Sequence, residues 1–268
     1  ITRGCPYGCY YCQVSYLHGF NMRHRSVDNV VKYCRIMVSH GLRDLRFISP
    51  NSLSYGSRTP GKPCIESLFE LLDKLYSEIV VKQGARIFYG SFPSEVRPEY
   101  VDDEIAKLLK TYVANKTIII GAQSGSDEVL KRIRRGHSVE DVFNATSILL
   151  KHGFKPSIDF ILGLPVETID DIEETIRVVE KLTSMGARIH LHYYMPLPGS
   201  PFAGKPPLRI PLKYKRIVFK IIGSGGGYGE WIKQEMIAWK IVELMKKGII
   251  MPRLGNSHRL INSAQLHQ

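Results

Sequence analysis

No run of apolar residues in this chain approaches the roughly 20 needed to cross a bilayer as a helix, although 44% of its residues are hydrophobic. No signal peptide is visible, and no membrane partner is expected. Cysteine is scarce, at five in 268 residues. Small secreted scaffolds are cysteine-dense, so a disulfide framework is excluded and a reducing cytoplasm is the expected compartment. Acid is scarce at one end. Residues 205–268 hold 12 Lys and Arg against three Glu and no Asp, a net +9, whereas residues 1–204 carry +3. A surface of that sign suits an anionic partner such as nucleic acid or acidic protein, or is a solvated basic helical face.

What is present is alternation. "LRFIS", "ARIFYGS", "KTIIIGAQ", "PSIDFILG" and "ARIHLHYYM" read as strands. Between and around them lie helical patterns such as "SVDNVVKYCRIMVSHG", "CIESLFELLDKLYSEIV" and "VDDEIAKLLKTY". "TIDDIEETIRVVEKLTSMG" opens on a Thr168…Asp171 capping pattern. Nearly continuous apolar strands suit parallel pairing with both faces buried, and repeated strand–helix units imply right-handed crossovers. With "IT" as the end of a first strand the count reaches six. The expected fold is α/β: a partial (β/α)6 TIM-like barrel over residues 1–204, cut at strand one, with a doubly wound sheet as competitor. A basic helical extension is expected over residues 205–268. In either fold, chemistry gathers at the C-terminal ends of the strands. "GSGGG" in the extension reads more readily as a hinge than as a phosphate nest, because no strand precedes it. Trp231 and Trp239, eight apart in a helical pattern, share a face.

Three of the five cysteines fall in "GCPYGCYYC", as Cys5, Cys9 and Cys12. A structural zinc site needs four ligands, usually in two pairs; His18 or His24 is a conceivable fourth. A disulfide leaves one thiol over. Iron–sulfur clusters are held by cysteine thiolates, and three close thiolates can bind three corners of a cube. The fourth iron then keeps an open position, as reactive metal sites do. This requires that neither Cys34, on an apolar helix face, nor Cys64, in a Pro/Gly loop, supplies the fourth ligand.

"CPYGCYYC", with Tyr11 before its last cysteine, resembles the signature of the radical S-adenosylmethionine (radical SAM) enzymes. "GAQSGSDEVLKRIRRGHSVEDV" is similar to the fourth-strand segment of the methylthiotransferases. "DFILGLPVET" resembles a fifth-strand motif that those enzymes share with oxygen-independent coproporphyrinogen oxidases. "SEVRP" and "YMPLPGSPFA" resemble the third-strand and post-sixth-strand segments. The resemblance implies a partial barrel, a 4Fe–4S cluster on Cys5, Cys9 and Cys12, and SAM chelating the open iron. It implies that an electron from the reduced cluster cleaves SAM to a 5′-deoxyadenosyl radical, which abstracts hydrogen from a substrate. A low-potential donor of ferredoxin or flavodoxin type is the implied reductant. Methylation or methylthiolation of RNA or protein is the implied outcome. The opening "ITRGCP" also resembles proteins with an upstream cobalamin-binding domain, so cobalamin held outside this chain is a further expectation. Residue by residue, the resemblance places Glu95 on the SAM ammonium and Arg135 on its carboxylate. It places Gln123, with Ser124 beside it, and Asp159 on the ribose, and gives Gly163 room for adenine. Tyr11 joins the same pocket.

Two other function classes compete. A non-catalytic iron–sulfur or zinc module could dock nucleic acid through the basic tail; its metal centre would ignore SAM. An ordinary SAM methyltransferase needs a glycine-rich loop after its first strand, which is lacking, and has no use for three thiols. Among side chains expected to face the barrel interior are His190, His192, Tyr193 and Tyr194.

Overall fold

The computed structural model describes residues 1–252; the last part of the expected basic extension, residues 253–268, lies outside the described residues. In chain order the elements are β1 (Thr2–Arg3), α1 (Val14–His18), β2 (Arg23–His24), α2 (Val27–Ser39), β3 (Asp44–Arg46), α3 (Ile65–Leu75), β4 (Arg86–Phe88) and α4 (Asp103–Tyr112). There follow β5 (Thr117–Gln123), α5 (Asp127–Arg132), α6 (Val139–Lys151), β6 (Lys155–Leu162), α7 (Ile169–Ser184), β7 (Arg188–Tyr193), α8 (Leu212–Gly223), β8 (Gly227–Tyr228) and α9 (Trp231–Lys246). Helices begin where a side chain takes up free N–H groups. Asp102 accepts from Ile105 N–H ahead of α4, and Ser138 and Thr168 close capping boxes with Asp141 and Asp171 ahead of α6 and α7.

The molecule is α/β. β5, β6, β7 and β8 form one parallel sheet in that order, and β3 pairs with β4 in a second parallel sheet. One face of the larger sheet is apolar, with Ile118, Ile120, Ile158, Phe160, Leu162 and Ile189 buried on it, and the other carries Asp159, His190 and His192. The strand expected to end at Ile1–Thr2 is present as β1. β1 pairs antiparallel with β2, Thr2 opposite His24. Hydrogen bonds outside the strands join the sheets. The Ile1 ammonium donates to the Ile48 carbonyl at 2.9 Å, and Ile119 N–H donates to the Gly90 carbonyl at 2.9 Å.

The hinge expected at "GSGGG" is corrected. Its last glycine begins β8, which adds to the outer edge of β7 with Ile189 opposite Gly227 and His190 opposite Tyr228. Glycine is required there by close approach. A Cβ on Gly229, at φ +132°, would lie 2.2 Å from the Leu191 carbonyl oxygen. Trp231 is fully buried, and Trp239 lies under the Arg209 guanidinium at 4.1 Å.

A second, smaller apolar cluster lies apart from the main core. Val129, Leu130, Ile133, Leu164, Tyr194 and Phe202 form it, with Tyr10 and Tyr11 packed against it. It joins the turn after α5 to the loops that follow β6 and β7, and it carries the cysteine loop.

Candidate functional site

The cysteine loop between β1 and α1 is tied down on several sides. Cys5 N–H donates to the Gly19 carbonyl at 3.1 Å. Ser15 Oγ donates to the Cys5 carbonyl at 2.8 Å and accepts from Gly8 N–H at 3.2 Å. Tyr10 N–H donates to the Ile133 carbonyl at 3.1 Å, and Phe202 N–H to the Tyr10 carbonyl at 3.0 Å. Gln13 Nε2 reaches the Pro198 carbonyl at 2.5 Å. The loop thus arrives with its three thiols pre-positioned.

All three are free thiols, Cys9 buried and the others half-buried. Burial pushes the Cys5 thiol up, and burial, reinforced by the neighbouring thiols, pushes Cys12 up to about 11. Three thiols this mutually aware become thiolates together only with a cationic partner. Among the described residues, one group of three potential ligand atoms lies within 4.8 Å of one another, and it contains no cysteine. Cys34 lies in the apolar core, and Cys64 is engaged by Ser67 Oγ at 3.2 Å and Glu66 at 3.5 Å. Neither makes a contact with the trio. His24, weighed as a zinc ligand, bonds Thr2 Oγ1 at 3.0 Å, and His18 is exposed.

Beside the thiols the structure gathers Glu95, Gln123 and Arg135. Arg135 is buried. Its Nη1 stands 3.9 Å from Cys9 Sγ, and its Nη2 donates to the Gly121 carbonyl at 2.6 Å and faces Glu95 Oε1 at 3.4 Å. Its Nε is buried with no partner. Gln123 Nε2 donates to both Glu95 oxygens, at 3.3 and 3.2 Å. Burial raises the Glu95 carboxyl, and the Arg135 charge opposes that shift. Gly121 makes the approach possible. A Cβ there would lie 2.6 Å from both Arg135 Nη2 and the Glu95 carboxylate. The backbone is bent to suit: β5 bulges between Gly121 and Gln123. Among the described residues the non-glycine positions with positive φ are Gln123, at +75°, and Arg134, at +56°. Backbone held in that region costs on the order of 1–3 kcal/mol and persists where surrounding structure enforces it.

The remaining expected site residues divide. Tyr11 packs on the small apolar cluster, and burial raises its hydroxyl while the Arg135 charge opposes that shift. Asp159 sits on β6 near Glu95 and is engaged by His190 Nδ1 at 3.1 Å. Ser124 is turned away: its buried hydroxyl accepts from Ser126 N–H at 3.2 Å and lies 3.5 Å from Thr175 Oγ1. At Gly163 the space of a missing Cβ is taken by the Tyr193 ring, 2.7 Å away, rather than standing open. Arg97, two residues after Glu95, pairs with Glu99 at 2.5 Å. His190 and His192 share the face of Asp159. Tyr193 points to the opposite side, its hydroxyl donating to the Leu208 carbonyl at 2.7 Å, and the Tyr194 hydroxyl donates to the Phe202 carbonyl at 2.6 Å.

Sequence reasoning missed the support behind Arg135. Arg97 Nη2 donates to the Arg135 carbonyl. Buried His137 places Nε2 3.1 Å from the Ala122 carbonyl. Burial, then the Arg135 and Arg97 charges, push His137 down to about 2, so it stays neutral. The available signal was its position two residues after Arg135.

A sequence profile of the radical SAM superfamily matches residues 1–179. The chain is 28% identical over 212 residues to an uncharacterized protein of Methanopyrus kandleri, covering 76% of this chain and 38% of that one. It is 30% identical over 207 residues to threonylcarbamoyladenosine tRNA methylthiotransferase MtaB of Thermotoga maritima, covering 75% of this chain and 44% of that one. The chain spans less than half the length of these relatives. Among solved structures its fold is similar to the radical S-adenosylmethionine methyltransferase TsrM of Kitasatospora setae, with a TM-score of 0.60 at 16% identity over 76% of this chain and 37% of that one. It is also similar to coproporphyrinogen III oxidase HemN of Escherichia coli, with a TM-score of 0.55 at 17% identity over 83% of this chain and 50% of that one. With the profile covering more than half of its residues, the chain belongs to the radical SAM superfamily.

Proposed function

We propose that this chain is the core of a radical SAM enzyme in which Cys5, Cys9 and Cys12 hold a 4Fe–4S cluster. Arg135, Glu95, Gln123, Asp159 and Tyr11 would form the SAM pocket by side chain, with Ser124 and Gly163 contributing backbone. The observation that carries the reading is the position of Arg135, with Cys9 Sγ on one side, the Glu95 carboxylate on the other, and a buried Nε still free of a partner. A cationic fork so placed suits an anion beside the thiolates, as the SAM carboxylate would be. Glu95, raised by burial, gains most from a cation, as the SAM ammonium would be. Gln123 and Asp159 offer polar groups to ribose hydroxyls. When bound, cluster and SAM supply one-electron cleavage of the sulfonium C–S bond and removal of a hydrogen atom from substrate.

In this reading the three sheets and the bonds between them close as a partial (β/α)6 barrel. Residues 1–204 are its core, and residues 205–268 are an extension that covers the β7 side. The electron comes from a ferredoxin- or flavodoxin-type donor in the cytoplasm. The product is a methylated or methylthiolated RNA or protein; the tRNA methylthiotransferase relative supports that class. A cobalamin held outside this chain is part of the proposal, supported by the cobalamin-bound TsrM structure, and no residue here is assigned to it.

The test is electron paramagnetic resonance of the reduced protein after anaerobic reconstitution. Addition of SAM should change the cluster signal, and an identical spectrum with and without SAM would reject the reading. The Cys34→Ala/Cys64→Ala double variant should keep its iron; loss of the cluster there would reject the three-ligand assignment.

A further inference from the structure

Asp159, His190 and His192 are the one group of potential ligands, among the described residues, whose donor atoms all lie within 4.8 Å of one another. They stand on neighbouring strands. Asp159 is opposite His190 in the β6–β7 register, and His192 follows two residues later on the same face. His190 Nδ1 lies 3.1 Å from Asp159 Oδ1, and His192 Nε2 lies 3.8 Å from Asp159 Oδ2. Both rings are fixed from outside. His190 stacks on the Tyr228 ring, 4.4 Å between centroids at 7°. Tyr228 OH is held by Ser157 Oγ at 2.8 Å. The Gln234 amide, anchored on Tyr193 N–H at 2.8 Å, lies 3.5 Å from His192 Nδ1 and turns Nε2 toward Asp159. The imidazoles remain accessible, with side chains 26% and 31% exposed, while Asp159 is 13% exposed.

We propose that Asp159, His190 and His192 form a second metal site, for a divalent first-row transition ion, on the side of Asp159 that neighbours Glu95. Bonds of about 2.1 Å to such an ion set its donors about 3.0 Å apart in octahedral and about 3.4 Å apart in tetrahedral geometry. The His190–Asp159 distance of 3.1 Å lies between those values and the His192–Asp159 distance of 3.8 Å lies a little above them, so a small movement of the His192 ring admits an ion. Two imidazoles and one carboxylate suit zinc or ferrous iron better than magnesium or calcium, and three protein ligands leave further positions open. The rings are oriented by outer partners, as ligating histidines are. The site goes beyond the proposed SAM pocket and is compatible with it. A carboxylate has about four acceptor positions, so one Asp159 oxygen can ligate while the other meets a ribose hydroxyl.

The experiment titrates the full chain, carrying its cluster and freed of loose metal on chelating resin, with zinc chloride. Bound zinc is counted by mass spectrometry after gel filtration and affinity is read by calorimetry. One zinc per chain beyond the cluster iron is expected, weakened at least tenfold in His190→Gln and in His192→Gln. His192→Asp, which returns a ligand, should recover binding lost in His192→Gln. The Cys5→Ser/Cys9→Ser/Cys12→Ser variant should keep the zinc, so a failure of the cluster reading leaves this site standing and visible. No zinc above the iron content, or equal zinc in wild type and histidine variants, overturns the proposal.

Discussion

Arg135 is held from behind. Arg97 donates to its carbonyl, and Arg97 is itself braced by Glu99 and stands 3.4 Å over the Tyr7 ring. That bracing fixes the backbone from which the guanidinium reaches Cys9 and Glu95, with its Nε left without a partner. Arg135→Ala should weaken SAM binding by about 1.5–3 kcal/mol, the range for a hydrogen bond to a charged group; calorimetry on the reconstituted protein measures it, and unchanged affinity refutes the role. Gly121→Ala is the subtler probe. Its new Cβ meets only the ends of the Arg135 and Glu95 side chains at 2.6 Å, so those ends must move while the strand stays. SAM affinity should fall by about tenfold, or 1.4 kcal/mol, with little change in the thermal midpoint. Glu167 gives a pH test. Its Oε2 accepts from Leu164 N–H at 2.8 Å, its Oε1 is buried unpartnered, and burial raises the carboxyl from 4.5 to about 8. The unfolded chain therefore releases this proton first, and the group lowers stability as pH rises from about 4.5 to about 8. Glu167→Gln should lose that slope, so urea midpoints at pH 6 and pH 9 should differ less in the variant than in wild type. The grouping of Cys9, Glu95, Gln123 and Arg135 was legible in the sequence because each lies in a short motif resembling those of one family, and the structure brings these side chains together. Arg97 and His137 were not, because what they hold is another residue's backbone, and no local spacing encodes that.

At the scale of elements, α7 shows how a boundary is written locally. Thr168 Oγ1 and N–H both bond the Asp171 carboxylate at 2.8 Å, and Asp171 N–H returns to Thr168 Oγ1 at 3.3 Å. Thr168→Ala should cost about 1 kcal/mol in urea unfolding. Asp171→Ala should cost more, since Asp171 also accepts from Ser126 Oγ at 2.6 Å and Arg132 Nη1 at 3.0 Å, tying α7 to α5. The helices and the long strands β5, β6 and β7 could be read from capping residues and apolar runs. β8 could not. Two residues, one of them glycine, carry no periodicity, and their strand state comes from the edge of β7. The same limit applied to β1: two residues show neither their direction nor their partner, and the antiparallel pairing comes from the return of the chain at Arg23–His24. In β7, His190 and His192 share one face, whereas Tyr193, expected beside them in the interior, lies on the other, as the alternation of a strand requires.

For the whole molecule, the basic segment is less available than its charge suggests. Lys215 pairs with Glu235 at 2.5 Å, Lys213 with Glu173 at 3.2 Å, and Lys240 and Lys247 both with Glu243. The segment also completes the sheet. A chain ending at residue 204 strips β8 from β7 and Tyr228 from His190. Such a truncation should leave the insoluble fraction enriched and the zinc site lost, and a soluble, monomeric 1–204 fragment on gel filtration would contradict that. The order of synthesis gives this arrangement a temporal meaning. Until Gly227 and Tyr228 have left the ribosome, the nascent chain carries β7 with a naked hydrogen-bonding edge, the kind of template that recruits other strands. The interval between translating β7 and translating β8 is thus a period in which the edge at Ile189 and His190 has no strand to cover it.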